Sequence, residues 1–115
     1  MALDTSRSDS AYVIGRLFAL LEKIQEDSVE GSLNATIKDR YFSSASATPG
    51  VVFPRLIRLS QHHLAKIDGG LKIHREKQLG EVMNRLIGFP THLNLQDQGL
   101  FAVGYYHQRQ DFFKK

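Results

Sequence analysis

The chain contains no cysteine, which excludes a disulfide framework, a thiolate metal site and a cysteine nucleophile together. Nothing in that composition argues for export, and a reducing cytoplasmic compartment is expected. The opening residues, MALDTSRSDS, lack the basic start and apolar run of a secretory signal. No apolar stretch approaches the roughly 18 to 20 residues that span a bilayer, so a soluble protein without a membrane partner is expected. An internal repeat, a long linker and a low-complexity tract are also missing. At 115 residues the chain has the length of one domain that can close a hydrophobic core without staples.

The usual signatures of catalysis are absent too. Five histidines are present, but none has HExxH spacing, and His62 and His63 point about a hundred degrees apart on a helix. His63 belongs at the core edge beside Leu64 and His62 on the polar face, while His92 and His107 have no evident partner. The SSASAT run supplies hydroxyls with no GxSxG setting, and reads as a small-residue helix end. Gly69-Gly70 reads as a helix stop and not as a phosphate loop. Glu22, Glu26 and Glu30 form one row, read as a solvated face, with Lys23 and Asp27 adding an i,i+4 pair. No metal, no cofactor and no enzymatic activity are expected.

What is present is helical periodicity. A first helix from about Asp9 or Ser10 carries Ile14, Leu17, Phe18, Leu21 and Ile24 on one stripe, widened by Val13 and Leu20, and Gly31 closes it. Asn34 offers a cap for a short helix with Ile37, Tyr41 and Ala45 inward. Thr48-Pro49 launches a third helix toward Ile67, in which Pro54 either makes a kink or moves the start to about Val52. A fourth helix is expected over Lys72 to Ile87, burying Leu79, Met83, Leu86 and Ile87, and Asn94 caps a fifth. The fold class is all-α: a compact bundle of about five helices over residues 11–113, preceded by a flexible segment, residues 1–10. Gly15, Gly80, Gly99 and Gly104 fall inside helices, each at a cost of about 1 kcal/mol against alanine, and close approach of a neighbouring backbone is the expected offset.

The net charge of +3 and the isoelectric point near 9.3 are only mildly basic, and their distribution says more. Before Gly31 three cations face six acids; from Gly31 to Ile67, Lys38, Arg40, Arg55, Arg58 and Lys66 face only Asp39. On the third helix Phe53, Leu56, Ile57, Ser60, Leu64 and Ile67 make the inward stripe. Arg55, Arg58, His62 and Lys66 follow along another, with no acid nearby to neutralise them. Such a row can track a phosphate backbone, with Lys38 and Arg40 extending it if the second helix packs alongside. It can equally be an ordinary solvated face.

The tail, GYYHQRQDFFKK, has the composition of a base-stacking platform. Phe101, Tyr105, Gln108 and Phe112 nevertheless continue one apolar face with Leu100, and are better assigned to the core or to a subunit contact. Tyr106 and Arg109 lie off that face, open to a partner or to DNA, and Lys114 and Lys115 are expected to fray.

The strings GRLFALLEKIQ, NATIKDRYFSSASATPG, VFPRLIRLSQHHLAKI and LNLQDQGLFAVGYYHQRQDFF carry a family likeness. Together, from about Ala11 to Phe113, they resemble the C-terminal region of the large subunit of type I-C CRISPR-Cas surveillance complexes. In that family the same region is also made separately as the small subunit, whose size this chain suits. The resemblance implies a helical, non-catalytic subunit lining the interior of an RNA-guided complex, with backbone subunits, the large subunit and further copies of itself as partners. It implies contact with the displaced single-stranded DNA, and with guide RNA only indirectly, while a separate helicase-nuclease cleaves. The first ten residues have the least family character. From charge and helical phase, the candidate nucleic-acid residues are Arg55, Arg58, His62, Lys66, Lys38, Arg40 and Arg109. The alternative is a purely architectural subunit whose arginines meet acids on its neighbours.

Overall fold

A helix that is apolar on one stripe can lie on a surface, but a helix apolar nearly all round must be enclosed. The first helix is of the second kind. In the computed structural model, which describes residues 3–29 and 35–113, α1 (Ser10–Asp27) is buried continuously from Ala11 to Glu22. Around it stand α2 (Ile37–Ala47), α3 (Pro49–Leu64), α4 (Gly69–Met83) and α5 (Leu95–Phe112). The described residues contain no strand, and none of their helices is long and apolar enough to cross a membrane. The all-α bundle is as expected. The single stripe expected for α1 is too narrow, because four neighbours cover faces that include Arg16 and Glu22 as well as the aliphatic residues.

Two glycines let α1 and α5 meet at the backbone. A Cβ on Gly15 would overlap the Phe101 carbonyl oxygen, and one on Gly104 would overlap that of Tyr12. Around Gly80 and Gly99 there is open space, so the close approach expected at four positions occurs at two. Beside this contact Phe18 is the hub of the core. Its ring lies edge-on to Phe42 of α2, Phe53 of α3, and Phe101 and Tyr105 of α5, with centroids 5.7 to 6.3 Å apart.

Enclosing α1 also buries its polar side chains, which must then be paired. Arg16 Nε donates to Gln108 Oε1 at 3.1 Å. Glu22, read from the sequence as part of a solvated row, is only 3 % exposed. It accepts hydrogen bonds from the Tyr105 hydroxyl and from Thr36 Oγ1, the latter at 2.5 Å, and lies 3.6 Å from Arg109 Nε. Burial and then the Glu22 carboxylate push the Tyr105 phenol well above its usual range, so it stays a donor. Glu26, half-buried, takes Arg109 Nη1 at 2.9 Å; Glu30 lies outside the described residues. Asp27 holds Arg75 of α4 at 2.6 Å and the expected Lys23 at 3.5 Å. His107 does have a partner, since its Nδ1 is 2.8 Å from the Tyr12 hydroxyl.

Local signals set most helix ends. Thr36 and Asp39 form a capping box at the start of α2; the cap expected at Asn34 and the closure at Gly31 lie outside the described residues. Pro49 is the first residue of α3, and the helix runs on through Pro54. Asn94 caps α5 by accepting from the Asp97 N–H at 2.8 Å. The fourth helix departs from expectation: Gly69, at φ 65°, starts α4, and the residues after Leu64 tighten into i→i+3 bonds before it. Because α4 ends at Met83, Ile87 lies past its periodic face and is fully exposed; Leu79, Met83 and Leu86 are half-buried. A strap at residues 89–93 braces the junction of α2 and α3, with Gly50 N–H donating to Pro90 O and Leu93 N–H to Ala47 O, both at 2.9 Å. Phe89 stacks on Phe53 at 4.9 Å.

Two measurements check this packing. In urea unfolding, Gly104→Ala is expected to destabilise by about 1–3 kcal/mol, because its methyl meets main chain that cannot step aside. Gly80→Ala, at an exposed helical position, is expected to stabilise by about 0.5–1 kcal/mol. Glu22→Ala leaves the buried Tyr105 hydroxyl and the half-buried Thr36 hydroxyl without their acceptor, while Arg109 keeps Glu26, and a loss of about 1–3 kcal/mol is expected in the same assay.

Candidate nucleic-acid interface

The capping box at Thr36 does more than start a helix. Ile37 N–H donates to Gln25 Oε1 at 2.8 Å, which together with the Thr36–Glu22 bond fixes the first turn of α2 onto α1. With that turn held, the next residues outward, Arg40 and Tyr41, face the flank of α3. Between the two helices runs a recess of about 410 Å³, whose walls include Arg40, Tyr41, Arg55, Leu59 and His63. A second recess of about 450 Å³ lies on α3 itself, lined by Val51, Arg55, Arg58, Leu59 and His62. Arg55 and Leu59 belong to both, so the two form one trough with Arg55 in its middle.

The structure thus brings together Arg40, Arg55, Arg58 and His62 of the seven candidates. All four are exposed, and no salt bridge within 4.0 Å neutralises any of them among the described residues. Lys66 is exposed at the far end of α3 and lines neither recess. Lys38 and Arg109 are placed otherwise. Two residues before Arg40, Lys38 lies on another side of α2, where its Nζ donates to the Tyr106 hydroxyl at 3.1 Å and sits over the rings of Tyr106, Tyr105 and Phe42. Arg109 is engaged by Glu26 and Glu22 and covers the ring of Phe113 at 5.1 Å. Burial works against its charge, but the Glu26 hydrogen bond and the two carboxylates outweigh it and raise its affinity for the proton.

Phase along α3 found Arg55, Arg58 and His62, but it missed Tyr41 and His63. Both are half-buried: Tyr41, expected inward, and His63, expected at the core edge, each border the recess as well. The one signal for them was the T-x-x-D box at Thr36 to Asp39, which fixes the phase of α2 and with it the neighbours of Arg40.

Burial, then the charges of Lys66 and His62, hold the His63 imidazole below its ordinary pKa of 6.5. At neutral pH His63 is therefore held in its uncharged form beside the arginines. Since the folded state favours neutral His63, its contribution to stability is complete above pH 6.5 and is lost as the pH falls through the lower folded value. An NMR titration of the ring protons is expected to give a midpoint below 6.5 for His63, with stability falling over the same range.

No group of three or more His, Asp or Glu side chains converges to hold a metal among the described residues. The trough gathers the guanidinium groups of Arg40, Arg55 and Arg58, a set of donors that suits an anion. No curated protein sequence matches this one. A family model described as CRISPR-associated protein (Cas_Csd1) does match, over residues 1–113. Membership of a CRISPR-associated family implies other Cas subunits as partners. With the match covering nearly the whole chain, the protein belongs to the CRISPR-associated Cas_Csd1 family.

Proposed function

We propose that the chain is the small, non-catalytic subunit of a type I-C CRISPR interference complex, acting in the cytoplasm. In this reading its α2–α3 trough holds the displaced non-target DNA strand without regard to sequence. The observation that carries it is the sorting of cations. Arg75 and Arg109 are paired with carboxylates and Lys38 lies over aromatic rings, whereas Arg40, Arg55 and Arg58 converge on one trough with no acid between them. Exposed arginines near one another repel unless an anion lies among them, and phosphate is the anion an opened duplex supplies. Guide-target pairing gives such a complex its specificity, so a surface that grips backbone alone suffices.

A purely architectural role is the second reading. It is favoured by apolar side chains exposed away from the trough, Ile73 of α4, Ile87 and Leu95, which suit contacts with neighbouring subunits. The two roles can coexist, because the surfaces are distinct.

The test is a salt titration of target binding by the assembled complex. Each phosphate contact on a single strand contributes about 0.7 to the slope of log K against log salt, so replacing Arg40, Arg55 and Arg58 with alanine is expected to flatten the slope by roughly 2. If the slope is unchanged in a complex that native mass spectrometry shows intact, the trough does not hold the strand. If the complex falls apart instead, the arginines serve assembly.

A further inference from the structure

Ten of the eleven Phe and Tyr rings in the chain are accounted for by one another or by a cation. Tyr12, Phe18, Phe42, Phe53, Phe89, Phe101, Tyr105 and Tyr106 each pack on another aromatic ring. Phe112 lies beneath Arg75, and Phe113 beneath Lys23 and Arg109. Among the described residues Tyr41 does neither, and it lines the recess between α2 and α3 together with Arg40 and Arg55. It is half-buried, so one part of the ring packs on the core while the rest fronts the recess.

A surface that holds only a phosphate chain needs cations and no depth. This trough has depth on both sides of Arg55. One recess contains Tyr41 and His63; the other is walled by the apolar side chains of Val51 and Leu59. Aromatic and apolar walls between cations are what nucleobases bind to, because every base has a π-face and little of it is hydrated. Bases in a duplex are stacked inside and cannot reach such walls, whereas those of a single strand can be turned outward.

Building on the proposed strand-holding role, we infer that the trough is a nucleotide bracket: Tyr41 stacks a base of a single strand in the α2–α3 recess, a neighbouring base lies on Val51 and Leu59, and Arg55 takes the phosphate between them. Arg40 and Arg58 hold the phosphates to either side. Bases of any identity can stack in this arrangement, since stacking on a ring or an apolar wall does not depend on the Watson–Crick edge. The bracket gives the subunit a preference for single strands over duplex, which cations alone do not confer.

The test uses the assembled complex with guide and target, in which the displaced strand carries 2-aminopurine at successive positions. Stacking on Tyr41 is expected to quench the probe at the bracketed position. Tyr41→Phe keeps the quench and binds within twofold. Tyr41→Leu loses the quench and weakens displaced-strand binding by about 5- to 150-fold with an unchanged salt slope, as expected for loss of one stacked base. Because Tyr41 also touches the core, a second measurement leaves the protein unaltered. Irradiation with 5-iodouracil in the displaced strand is expected to join that base to Tyr41, as read by mass spectrometry. Failure of both the quench and the cross-link, while arginine substitution still flattens the salt slope, overturns the bracket and leaves the strand-holding role standing. If the slope does not respond to the arginines either, the strand-holding role falls with it.

Discussion

The backbone contact between α1 and α5 is the constraint on which the rest of the structure depends. Gly15 and Gly104 let carbonyl groups of one helix enter the space a methyl would fill on the other. Only with the helices that close do Tyr105 and Gln108 reach the polar groups of α1, and only then is Glu22 enclosed. Nor could Phe18 serve Phe42, Phe53, Phe101 and Tyr105 together if α5 stood farther off. Short contact between two helices is usually a local matter, but here it sets the position of every element around α1.

From that constraint follows the sorting of charge. The acids of α1 are drawn into pairs with Arg109 and Arg75, cations contributed by α5 and α4. The pairs lie in partly desolvated positions, where leaving one member alone is costly. The arginines of α2 and α3 make no ion pair within 4.0 Å with those carboxylates among the described residues. Most of the acids of α1 are thus matched by cations of other helices, while Arg16, buried beside Gln108, has no carboxylate partner among those residues and an unpaired Nη1, and the trough keeps its arginines free of ion pairs.

Much of this was legible in the sequence. The five helices follow from apolar spacing, and of the face assigned to the core or a subunit contact Phe101, Tyr105 and Gln108 are buried and Phe112 is half-buried, while Tyr106 and Phe113 are exposed. What escaped were relations between residues far apart in the chain. Glu22 and Arg109 look like surface charges because the partners that enclose them, Tyr105 for Glu22 and Glu26 for Arg109, lie 83 positions away. The start of α4 was misplaced because a glycine that ends one helical path can equally begin the next. Within the site, helical phase identified a row along α3, yet could not say that Arg40 would join it while Lys38 turned toward α5. That choice is made by the capped first turn of α2, held by Gln25 and Glu22 of another helix.

The strap at residues 89–93 bears on how that trough behaves. Its two hydrogen bonds and the Phe53–Phe89 stack hold the corner between α2 and α3 through main chain and apolar surface. None of these involves a charged group, so salt and pH leave the corner alone. The walls of the trough are therefore held at their angle by contacts for which neither counterions nor protons compete, which makes the recess a preorganised surface.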